Sequence, residues 1–514
     1  MHLRRLRLAA QDGFTTVVVM GALLIGGALA EVAYQTVLGD IAPAQHSIDR
    51  KDAYSAAEAG LNVYAYQLTR DPNLWTKCTA VPPPNATEAS PINQAWNGSG
   101  SDPRVWRKMP ESNAKYTIEL LPATGFATCI AGNQASMLNP TNGTFRIRST
   151  GLMHGAKRSI IVTLRRTKFL DFLYFSDYET SDPATYPDSS SQSFAASHCV
   201  LYWPNRDSTC VKIQFAPNDV VAGPLHTNDE LLTCDSPQFG RTTADSIEVV
   251  GPTPGYQKAC GVGVPNVLGT YINPANALTL PSTNASLATV ADPAYRFSGT
   301  TKIVLSGATM TVTNPTGSAS RLMALPANGV VYVQNSSCGI SGYARTQNYT
   351  NPAGCGDLWV SGTTSQSLTF ATDNDIIVNG SLTTSNNAEI GLIANNFIRV
   401  YHPVINRQGD GSCTNSGLSP TNIEIDAAML SLQHSYIVDN WYCGAALGTL
   451  TVNGAIAQKF RGPVGTSGGP TGITGYIKAY TYDDRFRYTN PPNFLDPVAA
   501  SWRVVRQTEQ LPPR

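Results

Sequence analysis

From Phe14 to Ala30 the chain reads FTTVVVMGALLIGGALA, 17 residues without a charge. As a helix this run would be about 26 Å long, near the thickness of a bilayer's hydrocarbon core. Continued past Glu31 through VAYQTVL, it predicts a transmembrane segment over 14–38. Arg4, Arg5 and Arg7 precede it with only Asp12 opposing, a bias that keeps the N-terminus cytoplasmic and exports the remainder. Farther on, Tyr54, Ala57, Leu61, Tyr64 and Leu68 recur at three- and four-residue steps and mark one face of an amphipathic helix. The helical pattern therefore extends from Phe14 to Leu68, with Pro43 as the expected kink. A secretory signal also starts basic and then turns apolar, but here the pattern continues as helix without a convincing small-x-small cleavage site.

After Asp71-Pro72 the pattern becomes loop-like, with Pro82-Pro83-Pro84 and an Asn/Gly/Ser stretch at 97–101. Alternating positions then predict strands at 116–121 and 144–151, a turn at His154-Gly155 and a further strand at 158–164. A small antiparallel sheet follows from these, with the second half of the helix covering one face. From 169 to 514 the helical period disappears. Short apolar runs at 302–312, 329–337, 375–384, 389–402, 423–438 and 449–460 alternate with Gly, Asn, Thr and Ser. Val378-Asn379-Gly380 and Val452-Asn453-Gly454 share one wording, in which a β-branched run enters an Asn-Gly turn. Loosely periodic strands with such corners predict a β-solenoid, right-handed β-helix-like, over 169–514; a β-sandwich is the alternative.

Composition narrows the function classes. Only 14% of the 514 residues are charged, and 36 Lys+Arg balance 36 Asp+Glu. No excess of positive charge is present to neutralise a phosphate backbone, so nucleic acid is not the main partner. The ten cysteines, Cys78, Cys129, Cys199, Cys210, Cys234, Cys260, Cys338, Cys355, Cys413 and Cys443, include no C-x-x-C and all follow residue 77. An even count of this kind is a disulfide signature and points outside the reducing cytosol. Neighbour pairing would close short loops, each contributing about 3 kcal/mol; other connectivities stay open.

The stretch QDGFTTVVVMGALLIGG resembles the leader of type IV (class III) prepilins: a short basic peptide, then Gly13, then Phe14-Thr15 opening the apolar helix. SAAEAGLN, from Ser55 to Asn62, resembles the helix of PilX-like minor pilins and related pseudopilins. The resemblance implies a leader over 1–13, cleavage by a prepilin peptidase between Gly13 and Phe14, and methylation of the new N-terminus. It also implies a pilin-like helix continuation and antiparallel sheet over 39–168, with other pilin-like subunits as partners through the helix. Lipid would hold the helix before assembly. Loss of 1–13 removes three Arg and one Asp and leaves a formal charge of −2. Major pilins carry a glutamate five residues into the mature chain; here that position is Val18, which suits a minor or tip subunit with no neighbour ahead of it. The segments 169–183, 223–229 and 391–403 resemble parts of a large uncharacterised extracytoplasmic domain that occurs attached to pilin-like leaders, and no activity comes with that likeness.

Candidate chemistry is sparse. His226, His402 and His434 are isolated and read as turn or surface residues, with no metal-ligand spacing. Asp373 and Asp375 would face one side of a strand about 7 Å apart, a separation that inverting glycosidases use, yet Asp before a strand commonly caps a turn. Twenty-two Tyr and seven Trp, clustered at 64–68, 201–203, 440–442 and 479–488, offer apolar faces with polar tips, as sugar- or protein-binding surfaces do. The expected function is a minor pilin or tip/adhesin-like subunit of a type IV pilus-like or pseudopilus assembly. It would be a single-pass membrane protein with its bulk extracytoplasmic, no enzyme, no cofactor and no metal, displaying a β-domain to a surface glycan or protein ligand. The alternative is a membrane-anchored, glycan-active β-solenoid enzyme built on Asp373 and Asp375.

Overall fold

The computed structural model describes residues 14–71, 74–78, 106–139, 143–315, 318–339, 351–407, 413–469, 472–498 and 502–514. The chain forms two compact units, Met1–Arg165 with Trp502–Arg514, and Arg166–Ser501.

In the first unit, helix α1 (Phe14–Arg70) contains Pro43 and has two dissimilar halves. Its C-terminal half buries Ala53, Ala56, Ala57, Leu61, Tyr64 and Leu68, with Tyr54 half-buried, against an antiparallel sheet. Each buried Leu contributes about 2 kcal/mol. The sheet is built from Lys115–Leu121, Thr144–Met153 and Ala156–Arg166, the last two joined by a two-residue turn in which His154 and Gly155 have φ of +44° and +89°. Two positive φ values in a row match the right-handed twist of the strands they join. The helix comes unusually close to the sheet: a Cβ on Gly151 would lie 1.8 Å from the Ala53 carbonyl oxygen, and one on Gly60 2.6 Å from Ser149 Oγ. Ser149 Oγ donates to the Ala57 carbonyl at 2.6 Å. At the outer edge Trp502–Gln510 joins the sheet, although it lies far along the chain inside the range expected to be β-domain. Its Trp502 stands edge-on to Phe145 (4.7 Å), which stacks on Trp75 (5.6 Å).

The second unit is dominated by a 22-stranded sheet. One ladder of parallel pairings runs through Arg296–Ser298, Val330–Gln334, Leu368–Thr372, Ile390–Ala394, Ala428–Ser431 and Thr449–Phe460. It then continues through Tyr174–Tyr178, Leu225–Thr227, Ser246–Val249 and Thr270–Ile272. A second ladder follows the same course, from Thr301–Gly307 and Leu358–Thr364 to Ile477–Tyr482, Val220–Ala222 and Gln238–Phe239. The sheet curls so that Val331, Phe370, Leu392 and Met429 of one ladder share a core with Leu358, Ile376, Ile398 and Val452 of the other. The first ladder is buried on both faces, because Phe169, Phe172, Leu278 and Leu287 of helix α3 (Ser286–Val290; α2 is Ser189–His198) cover its outer side. Leu368–Thr372 and Ile390–Ala394 are therefore buried throughout and show no alternation.

The expected fold class needs correction on three points. Among the described residues no helix is long and apolar enough to cross a membrane, so neither the transmembrane segment over 14–38 nor the single-pass membrane location stands. The uncharged run is only 17 residues, is diluted by Gly, Ala and Thr, and meets Glu31. Second, a β-solenoid stacks its units in chain order, whereas here strands 174–178 and 220–222 sit beside 449–460 and 477–482, and the stretch between starts from the far end and returns. The result is one curled sheet with chain order broken in the middle. Its parallel ladders also differ from the antiparallel sheets of the β-sandwich alternative. Third, the two V-N-G wordings are not turns: both lie inside strands, Ile376–Thr384 and Thr449–Phe460. Gly454 is required by proximity, since a Cβ there would sit 1.9 Å from the Ala427 carbonyl.

Candidate functional site

Gly13 and the leader over 1–13 lie outside the described residues, and Phe14 opens α1. The cysteines are joined Cys78–Cys129, Cys199–Cys210, Cys234–Cys260, Cys338–Cys355 and Cys413–Cys443. The first lies in the unit that holds α1, the other four in the β-rich unit.

Asp373 and Asp375 do not form a facing pair. Asp373 accepts from Tyr332 Oη at 2.5 Å and from the Asn335 N–H at 2.8 Å. Asp375 turns inward and pairs with Arg399 at 2.9 Å, while Arg399 also grips Asp439 through Nε at 3.0 Å. Burial pushes the Asp439 carboxyl up to about 7 against the pull of Arg399. Burial, helped by the charge of Asp375, pushes Asp357 up to about 6. This group of three carboxylates and one guanidinium is buried within the β-rich unit and braces the corners before 358, 376 and 398 and the end of Tyr436–Val438. Two of the three histidines are more buried than the expected turn or surface role. His226 and His402 are fully buried: His226 bonds Glu248 and Asn228, both at 3.1 Å, and His402 bonds the Asp439 carbonyl and Asn415, both at 2.9 Å. Burial lowers the His402 pKa. His434 lies 3.0 Å from Asp182. Among the described residues no cluster of His, Cys, Asp or Glu could hold a metal ion.

Two features remain that could meet another molecule. The first is the N-terminal half of α1, where Val17, Val18, Val19, Met20, Leu23, Leu24, Ile25 and Leu29 are 54–74% exposed. An uninterrupted apolar helix surface of this kind is rare on a protein that acts alone. The second is a cavity of about 540 Å³ in the β-rich unit, where the early and late strands meet. Tyr174, Phe215, Tyr436, Arg461, Lys478 and Tyr480 form much of its wall. Its cations are already neutralised: Arg461 bonds Glu179 at 3.0 Å and lies 3.5 Å above the Phe215 ring, and Lys478 pairs with Asp219 at 2.5 Å. Burial lowers the Lys478 pKa, partly offset by Asp219.

No family model and no curated protein matches the chain. Among solved structures, the crystal structure of the competence-associated pilin ComZ from Thermus thermophilus is similar to it, at 13% identity over 90% of this chain and 97% of that chain. The TM-score is 0.25, and a likeness at that level carries no argument about fold or function.

Of these features, the exposed apolar helix was legible as an apolar run, and Tyr480 and Tyr482 as part of an aromatic cluster. The cavity was not legible, because residues 174, 215, 436, 461 and 478 are brought together only by the broken order of the strands.

Proposed function

We propose that this chain is a pilin-like assembly subunit, in a minor or tip position, that works by contact and not by turnover. The observation that carries the reading is the division of α1: one half is clamped on its own sheet through Gly60 and Gly151, while the other presents an apolar surface that the described residues leave uncovered. The occupant of that surface is the equivalent helix of other subunits, packed side by side as in a bundle. The leader-like QDGFTT motif supports this reading, with a prepilin peptidase cutting between Gly13 and Phe14. Val18, where major pilins carry glutamate, favours a position with no subunit ahead. The β-rich unit is then the part displayed.

The test combines two measurements on the native protein. Mass spectrometry of the chain from purified appendages is expected to start at Phe14. Cysteine placed at Leu24 or Ile25 is expected to cross-link to other subunits, and cysteine at the buried Ala57 is not. Appendages that lack the chain, or a chain that retains residues 1–13, would overturn the reading.

A further inference from the structure

The cavity in the β-rich unit owes its existence to the way the strands end there. Tyr436–Val438 pairs with Ile398–Val400 on one side. On the other side its N–H groups are taken by the Gln458 side chain at 3.0 Å and the Pro463 carbonyl at 3.1 Å. The space beside that strand is lined by Phe215, Tyr174, Tyr476 and Tyr480. Its volume of about 540 Å³ falls inside the range of about 300–1,000 Å³ that small-molecule sites occupy. Val220, Ile473 and Ile477, 46–52% exposed, surround the opening.

The lining chemistry narrows the occupant. The hydroxyls of Tyr436 and Tyr480 are buried at the wall and, among the described residues, bond only each other, whereas Tyr476 is satisfied by the Pro420 carbonyl at 2.5 Å. Two hydroxyls that bond only each other keep one donor and further acceptor positions open to a ligand. Both cations are matched by carboxylates in place, so a charged ligand would have to break Arg461–Glu179 or Lys478–Asp219. A neutral ligand avoids that cost. The Lys478–Asp219 pair offers a donor and an acceptor side by side, the complement of two adjacent hydroxyls. Gln214 and Asn218, exposed at the rim, add amide groups. Tyrosine rings and branched aliphatic side chains supply the apolar surface on which the C–H face of a sugar ring rests. We propose that this cavity is a binding site for a neutral saccharide of one or two rings, with Lys478 and Asp219 holding vicinal hydroxyls and Tyr480 and Tyr436 walling the ring. The proposal stands independently of the assembly role.

The test uses the full chain with glucose, galactose, mannose, N-acetylglucosamine, lactose and chitobiose at millimolar concentration, and sialyllactose as the anionic control. Saturation-transfer NMR and thermal shift are the readouts. At least one neutral sugar is expected to bind, and sialyllactose to bind no better than lactose. Val220→Trp, a rim substitution at an exposed position, is expected to abolish binding by filling the opening. Tyr480→Phe keeps the ring and removes the hydroxyl that pairs with Tyr436. It is expected to weaken the sugar by about fivefold to tenfold in a protein that still folds. No binding by any neutral sugar would overturn the proposal. So would binding unaffected by both substitutions, or stronger binding of sialyllactose alone.

Discussion

At the scale of single residues, the β-rich unit spends its ionisable groups on bracing. Arg399 is 1% exposed and lies between Asp375 and Asp439, which ties the corner before Ile398 to the end of Tyr436–Val438. The price appears in titration. Burial raises Asp439 to about 7 and Asp357 to about 6, both above their ordinary value near 4, so the folded state binds protons that the unfolded chain has released. Stability from these groups is fully present below the unfolded pKa and is lost as pH rises through the folded values. His402, lowered by burial, acts in the opposite sense below its ordinary pKa. The expected outcome is a denaturant midpoint for the β-rich unit that falls between about pH 4 and about pH 7. In Asp439→Asn, whose amide can still accept from Arg399 Nε, that slope should flatten. An equal slope in the variant would show that Asp439 is not the group responsible. The same residues separate Asp373 from Asp375, the pair behind the alternative catalytic reading: two carboxylates two positions apart before a strand look alike in sequence, yet one caps a turn and the other is drawn inward by an arginine 24 positions later.

At the scale of elements, the amphipathic half of α1 is specified by its small residues as much as by its large ones. Leu61, Tyr64 and Leu68 supply buried area, but Gly151 decides how near the helix can lie. Gly151→Ala puts a methyl group against the Ala53 carbonyl, backbone that cannot swing aside. The substitution is expected to destabilise the first unit by about 3 kcal/mol, read as a lowered midpoint in urea with an unchanged slope. A loss below about 0.5 kcal/mol would mean the helix can rise from the sheet without penalty. Tyr54, Ala57, Leu61, Tyr64 and Leu68 could be picked out by period alone, and so could strands 116–121 and 144–151, because apolar positions alternate with polar ones along them, although Thr117, Glu119, Arg148 and Thr150 are buried as well. The strands Val330–Gln334, Leu368–Thr372 and Ile390–Ala394 show no such period, since apolar side chains cover both of their faces.

At the scale of the whole molecule, the chain leaves the first unit at Arg165 and returns to it at Trp502. The returning strand brings Trp502 to Phe145, Gln510 to Arg148 at 2.6 Å, and Glu509 to Arg158, and Arg514 lies 3.4 Å from Glu119. A chain ending at residue 501 is expected to lose protection from proteolysis within 106–165 while the β-rich unit keeps its own. Trp502→Ala in the full chain should reproduce most of that loss, at a cost of about 3–5 kcal/mol. Equal protease resistance with and without 502–514 would show that the sheet holds without its last strand. Within the β-rich unit, the pairing of 174–178 with 456–460 spans nearly the whole unit in sequence. The sheet therefore cannot close until its late strands are made, and ordering the intervening chain has to come first.

What the amino-acid sequence by itself determined follows from local chemistry. The period of 3.6 over 54–68 makes a helix with one buried face, the alternation near 116–164 makes a small antiparallel sheet, and ten cysteines without a metal spacing make disulfides. The apolar run of 14–30 marks a helix surface that stays exposed, although its length and its glycines leave it short of a membrane span. Only the tertiary structure decided which strands neighbour which, because a pairing is chosen by shared burial between segments, from Leu358–Thr364 with Ile376–Thr384 to Tyr174–Tyr178 with Thr449–Phe460, and leaves no local trace. The closing strand at 502–510 and the tyrosine-lined cavity arise from the most distant of these pairings, the buried Arg399 cluster from nearer ones.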